Sequence, residues 1–321
     1  MTSAEIAVVV PSRARPLRLR WLLNALEEQT LSRERFEVIV CHDASSPETE
    51  ALLRTHPLSA AGVLRHARAA PRSPPGLQRN RGWRLAAAPI VAFTDDDCRP
   101  PPEWLERALA SAGRCPGAVV QGATRPDPDE LAIAMHAPHA RSQTIDPPVP
   151  WAQTCNIVYP RALLERLGGF DEEMAGGEDA ELAQRAIGAG VSLVGAPEVL
   201  TYHAVHSGGL VATLRTLPRW QHLAGLVKRH PSLRGSFVLG MFWRDRHALL
   251  LAAIGAAALS RRAAPGLALT AAWGVRAAPS YGPSARGRIR AVAELPGRAI
   301  IDLAEIAVLA RGSLRYRTFL L

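Results

Sequence analysis

An alternation of short apolar runs with helical patterns restricts this chain most: Ile6 to Val10 then Leu17 to Glu28, Glu37 to Cys41 then Glu48 to Thr55, and Leu77 to Ala87 then Ile90 to Phe93. Strands and helices in that rhythm predict an α/β fold with a parallel sheet covered on both faces. Ligands of such sheets bind beyond the carboxyl ends of the strands. Polar residues directly after each strand are therefore the first candidates for chemistry, here Pro11-Ser12-Arg13, His42-Asp43 and Asp95-Asp96-Asp97.

Three consecutive carboxylates repel one another, so a fold that gathers Asp95, Asp96 and Asp97 behind an apolar strand normally supplies a cation. A solvated acidic turn would need none. Hard oxygen ligands suit Mg2+ or Mn2+, held together with substrate phosphates. A second cluster, GGFDEEMAGGEDAELAQR, puts Glu178 and Asp179 at the start of an expected helix running to about Ala189. Free N–H groups there favour negative charge. Such a carboxylate either caps the helix or serves as general base to a nearby hydroxyl. His203, in VLTYHAVHS, offers a nitrogen ligand, with His206 as its competitor, and Gln78-Arg79-Asn80-Arg81-Gly82 offers cations suited to a diphosphate.

Between these clusters, Pro126 to Pro150 is rich in Pro, Asp and His and reads as a long irregular segment. A helix is expected from Pro160 to Leu167, ended by Gly168 and Gly169, and a strand from Val191 to Val194. Beyond His206 acidic residues almost vanish: residues 1 to 210 carry 21 Lys and Arg against 25 Asp and Glu, whereas residues 211 to 321 carry 17 against 4. That shift places a domain boundary near residue 210. Cys41, Cys98, Cys115 and Cys155 form no CxxC pair, so neither a disulfide framework nor a structural zinc site is indicated. A cytoplasmic setting is expected, since the chain opens on a strand and not on a secretory pattern.

Taken in order, PSRAR, VIVCHDAS, GLQRNRGWRLA, FTDDDCRPPPEWL, TCNIVYPRALLERLGGFDEEM, GGEDAELAQR and YH resemble the family 2 glycosyltransferases of the GT-A type, over about Ile6 to His206. The resemblance implies a nucleotide-binding α/β sheet flanked by helices in residues 1 to 210, and a nucleotide-sugar donor. Asp43 matches the acid that contacts the nucleoside base, Pro11 and Arg13 lie in the loop lining that pocket, and Arg79 would help hold the nucleotide. Asp95 and Asp97 match the acids of the DxD motif, Asp97 on the metal and Asp95 near the ribose and metal, with Asp96 counted among the donor-binding residues. Asp179 looks like the catalytic base, Glu178 its supporting neighbour, and His203 the late His that completes the metal site. The implied reaction is a single displacement with inversion, onto a hydroxyl acceptor that is lipid-linked or related to the cell envelope.

Two departures bear on that reading. His42 stands where the usual strand-two motif has an acid, which alters the expected nucleoside contact. Arg219-Trp220 only partly echoes the QxxRW motif of processive synthases, which favours transfer of a single sugar.

The basic tail, residues 211 to 321, carries three apolar stretches: Ala248 to Leu259, Ala263 to Ala278 and Ile300 to Ala310. None reaches the roughly 20 residues that cross a bilayer as a helix. Hemmed by Arg261-Arg262 and by Arg286, Arg288 and Arg290, they suggest helices lying on or dipping into an anionic membrane surface. Packing on the first domain, or a homodimer interface, is the alternative. A nucleic-acid partner is disfavoured, because aromatic residues make up 5% and no RNA-recognition or zinc-finger motif appears. A metal-dependent nucleotidyltransferase and a catalytically silent sugar-nucleotide-binding protein are the rival functions, and the lack of GxGxxG after the first strand argues against a dinucleotide dehydrogenase.

Overall fold

A computed structural model describes residues 4–43, 46–259 and 263–321. Two compact units emerge, one of residues 1–131 and 142–205, the other of residues 132–141 and 206–321.

Among the described residues the first unit holds one eight-stranded sheet: β1 (Ile6–Ser12), β2 (Phe36–His42), β3 (Leu64–Arg68), β4 (Ile90–Thr94), β5 (Cys98–Arg99), β6 (Val119–Pro126), β7 (Asn156–Pro160) and β8 (Leu193–His203). Their order is β3-β2-β1-β4-β7-β6-β8-β5. The first four strands are mutually parallel, as expected from the alternation. The second half departs from that expectation in part: β8 is parallel to β6, but β7 runs antiparallel to both β4 and β6, and β5 antiparallel to β8. An apolar run such as Ile157-Val158-Tyr159 has the same pattern in either direction.

Helices of the first unit are α1 (Pro16–Glu27), α2 (Pro47–Thr55), α3 (Pro57–Ala60), α4 (Pro75–Leu85) and α5 (Trp104–Arg114), then α7 (Arg161–Leu167) and α8 (Glu178–Gly188), with α6 (Leu131–His136) at the edge of the two units. Pro16 opens α1 at a position that needs no N–H, and Leu19, Leu22, Leu23 and Leu26 recur on one helical face, all fully buried. They pack against Ile6, Val8 and Val10 of β1. Val9 points to the other face, where Gly82 of α4 lies so close that an added Cβ would fall 2.4 Å from Val9 Cγ1. Burying each Leu contributes at most about 1.5–3 kcal/mol, so both helices are pinned to β1 and the loop after it is placed by the core. The segment expected to be irregular contains α6, and its residues 132–141 belong to the second unit.

In the second unit α9 (Gly209–Thr216), α10 (Leu223–Arg229), α11 (Asp245–Leu259), α12 (Ala263–Ala277), α13 (Ala285–Ala293) and α14 (Leu295–Tyr316) realise the apolar stretches of the tail as helices. No helix among the described residues is long and apolar enough to cross a membrane. Leu250, Trp273, Ala277 and Ile306 join α11, α12 and α14 in a small core. A buried polar network reinforces it. Asp302, fully enclosed, accepts from Arg246 Nε at 2.8 Å and from Trp273 Nε1 at 3.0 Å, while Glu305 meets His247 Nε2 at 3.0 Å and Arg244 Nε at 3.2 Å.

Because Asp302 neutralises a mostly buried guanidinium, Asp302→Asn is expected to destabilise the second unit by about 3 kcal/mol. Urea unfolding followed by far-ultraviolet circular dichroism checks this, and an unchanged midpoint contradicts it.

Candidate active site

The residues singled out after each strand meet at one end of the first unit's sheet. β5 begins directly after the acidic triplet and pairs antiparallel with the end of β8, Cys98 opposite His203. The Ala204 N–H also donates to the Asp97 carbonyl at 2.9 Å. Two segments far apart in sequence are thus laced backbone to backbone, and this brings Asp97 Oδ1 to 3.6 Å from His203 Nε2, both side chains about 5% exposed. That separation is long for a hydrogen bond and near the roughly 3 Å between adjacent ligands of a cation whose bonds are about 2.1 Å. His203 Nδ1 lies 2.9 Å from the Ala204 carbonyl. The proton is therefore assigned to Nδ1, which leaves the lone pair on Nε2, the tautomer that metal ligation needs. Gln143 Nε2 is 3.2 Å from the same nitrogen. A carboxylate oxygen and an imidazole nitrogen so disposed fit a divalent cation. His206, the competing candidate, belongs to the second unit.

Asp96 turns the other way. Buried, it accepts from Ser12 Oγ at 2.9 Å, from the Arg13 N–H at 3.2 Å and from Arg15 Nη1 at 3.2 Å, tying the triplet to the end of β1. Arg15 Nη1 also donates to Asp97 Oδ2 at 2.5 Å, so it orients the carboxylate whose other oxygen faces His203. Arg15 was not among the residues singled out from sequence. Its signal was available, since it sits two residues beyond Arg13 in the same post-strand loop.

The nucleoside candidates form a neighbouring group. Pro11 lies in β1 opposite Cys41, and Asp43 follows β2, almost fully buried. Arg13 Nε approaches Asp43 Oδ2 at 3.4 Å from an exposed position. Burial and the nearby His66 hold the His42 imidazole below its ordinary pKa, so the residue in place of an acid is neutral at neutral pH.

Arg79 links the two acidic clusters. Its guanidinium, carried on α4, donates to Asp95 Oδ1 at 2.9 Å and to Glu178 Oε1 at 2.8 Å and is 6% exposed. It stands between carboxylates and is not open toward solvent, as a simple diphosphate clamp would be. Glu178 and Asp179 open α8, behind Gly177 in the left-handed region. The turn after α7 is held by Asn80, also on α4, whose side chain takes up the N–H and carbonyl of Phe170 at 2.8 Å each. Gly169, at φ +76°, leaves room for it, because a Cβ there would fall 2.2 Å from Asn80 Oδ1. Asp179 accepts from the Ala180 N–H at 2.9 Å. Burial first, and the Glu178 charge second, push its pKa well above the ordinary carboxylate range, only partly offset by Arg79. Burial pushes the Cys155 thiol up, and the charges of Asp95, Asp179 and Asp97 add to it.

Residues 7–168 match the profile described as Glycosyl transferase family 2. Validoxylamine A glucosyltransferase of Streptomyces hygroscopicus subsp. jinggangensis is 28% identical over 267 residues, covering 71% of this chain and 61% of the relative. The pre-mycofactocin glycosyltransferase of Mycobacterium tuberculosis is 30% identical over 214 residues, 62% of this chain and 42% of the relative. The chain thus spans less than two thirds of the length of these relatives. Among solved structures, a mannosyltransferase from Pyrobaculum calidifontis in complex with GDP-Man and Mn2+ superimposes with a TM-score of 0.60 at 22% identity, covering 99% of this chain and 88% of that one. TarS of S. aureus, residues 1–349 in complex with UDP, gives 0.51 at 18%, covering 98% and 92%. These likenesses establish a GT-A-like fold, and with the profile match over half its length the chain belongs to glycosyl transferase family 2.

Proposed function

We propose that the protein transfers a single sugar, with inversion, from a nucleotide-diphosphate sugar to a hydroxyl acceptor that is lipid-linked or part of the cell envelope, at the cytoplasmic face of the membrane. The Arg79 bridge carries this reading: one buried guanidinium joins Asp95 of the triplet to Glu178 beside Asp179, so the groups suited to a donor and the group suited to a base share one charged cluster. The GDP-Man and Mn2+ of the Pyrobaculum calidifontis complex support a donor and cation of that class here.

Asp97 and His203 would hold a divalent cation, Mn2+ or Mg2+, with Asp95 beside it. When bound, the cation would neutralise charge on the departing diphosphate. Asp43, Pro11 and Arg13 would receive the nucleoside, with neutral His42 behind them. Arg79 fixes the Asp95 and Glu178 carboxylates, and Arg15 fixes Asp97, so that none has to reorganise when the donor arrives. Asp179 takes the proton of the acceptor hydroxyl as its oxygen attacks the anomeric carbon and the sugar–phosphate bond breaks. Its raised pKa makes it a stronger base than an ordinary carboxylate.

A panel of nucleotide sugars with Mn2+ or Mg2+ tests the reaction class: release of nucleoside diphosphate supports transfer, whereas release of pyrophosphate indicates a nucleotidyltransferase. Asp179→Asn is expected to lower kcat by about 10²–10⁴ with donor affinity retained; undiminished turnover refutes the base. The base must be ionised, so kcat/KM, which reports the free enzyme, should rise with pH through an acid limb lying well above the value of about 4 of a free aspartate. An acid limb at that ordinary value contradicts the environment described for Asp179. His203→Ala is expected to weaken Mn2+ binding by on the order of tenfold or more, read as free Mn2+ by electron paramagnetic resonance.

A further inference from the structure

The second unit divides its charges unevenly between interior and surface. Glu294, Asp302 and Glu305 are at most 8% exposed and are held by internal partners: Glu294 by Tyr281 and the His139 N–H, Asp302 and Glu305 by the network around Arg246 and His247. Asp245 is the fourth carboxylate of this unit, and Arg276 pairs with it. A second set of arginines lies outward. Arg286, Arg288, Arg311, Arg315 and Arg317 are all exposed.

Apolar side chains are exposed on α12, α13 and α14. On α12 no charged residue occurs from Ala263 to Val275, and Leu267, Ala271 and Val275 recur at four-residue spacing on an exposed face, Leu267 at 67% and Val275 at 79%. On α13 Ile289 and Val292 are 70% and 63% exposed beside Arg286 and Arg288, and on α14 Ile300, Leu303 and Leu314 are exposed with Arg311 on the same helix. Water is a poor neighbour for such faces. A nucleic acid would match the arginines but leave the aliphatic side chains without a partner. A second copy of this unit would meet the aliphatic faces but oppose like charge. An anionic bilayer satisfies both, with headgroups for the guanidinium groups and the acyl boundary for the aliphatic side chains. Length fits as well, since α12 has 15 residues and at 1.5 Å each is about 22 Å long, short of the roughly 30 Å hydrocarbon core.

We infer that the exposed faces of α12, α13 and α14 dock in the plane of an anionic lipid surface. The inference rests on the transferase reading only for its consequence, that a lipid-linked acceptor is met at that surface. The full chain is to be co-sedimented with phosphatidylcholine vesicles with and without phosphatidylglycerol, at low and high salt. Binding is expected only to the anionic vesicles and should weaken with salt. Arg286→Ala with Arg288→Ala should lower the partition coefficient by about tenfold or more, and Leu267→Glu with Val275→Glu should abolish binding, while both pairs keep the wild-type circular dichroism. Equal binding to neutral vesicles, no binding at all, or unchanged binding by both variants overturns the inference. So does a dimer in lipid-free solution that the glutamate variant converts to monomer without any vesicle binding. Donor hydrolysis measured without vesicles judges the transferase reading separately, so the two fail independently.

Discussion

Repulsion among five carboxylates is the constraint around which the first unit is built. Asp95, Asp96, Asp97, Glu178 and Asp179 gather where the sheet ends, and two like charges 5 Å apart repel by about 3 kcal/mol at an effective dielectric constant near 20. Arg79 touches both clusters from within the core and Arg15 touches the triplet from its open side. Neither arginine could do so if the helix and loop that carry them were free to drift. α4 is held against β1 by the missing side chain of Gly82, and the loop after β1 is held by hydrogen bonds from Ser12 and Arg13 to Asp96. Core packing and site electrostatics are therefore one problem, solved at the end of β1.

The antiparallel strands complete what the parallel ones begin. A parallel sheet delivers the ends of β1, β2 and β4 to one edge, which accounts for the loops bearing Arg13, Asp43 and the triplet. β6 and β8 are parallel to each other and, across the antiparallel β7, run in the direction of β4, so the end of β8 brings His203 to the same edge. The two-residue β5 then pairs antiparallel with the last residues of β8, and the metal-compatible geometry of Asp97 and His203 is fixed by that short backbone ladder.

Much of this was legible in the sequence. Period and punctuation located β1, β2, β4, α1, α2, α4, α7 and α8 within a few residues, because each has a buried face of regular spacing and a Pro, Gly or acidic residue at its boundary. The acidic clusters were visible because such runs demand a partner in any fold. Strand direction was not legible, since side-chain alternation is the same read either way. Nor was the bridging role of Arg79: a lone arginine in a polar helix looks the same whether it faces a diphosphate or two carboxylates. Only the register of α4 against the turn after α7, set by Asn80 and Gly169, decides between them.

The charge balance also orders the events at the site. Five carboxylates against two guanidinium groups leave an excess of negative charge, and part of it is relieved by the proton that Asp179 retains above the usual carboxylate range. A diphosphate brings more of the same sign. On the proposed reading such a donor would be repelled by the carboxylates alone, and positive charge beside Asp97 and His203 would relieve that repulsion. That charge would also favour ionisation of Asp179, because any cation near a carboxylate lowers its pKa. On that reading donor acceptance and ionisation of Asp179 would be linked through the same field, and Arg79, in contact with the carboxylates on either side, is the fixed element through which that field is balanced.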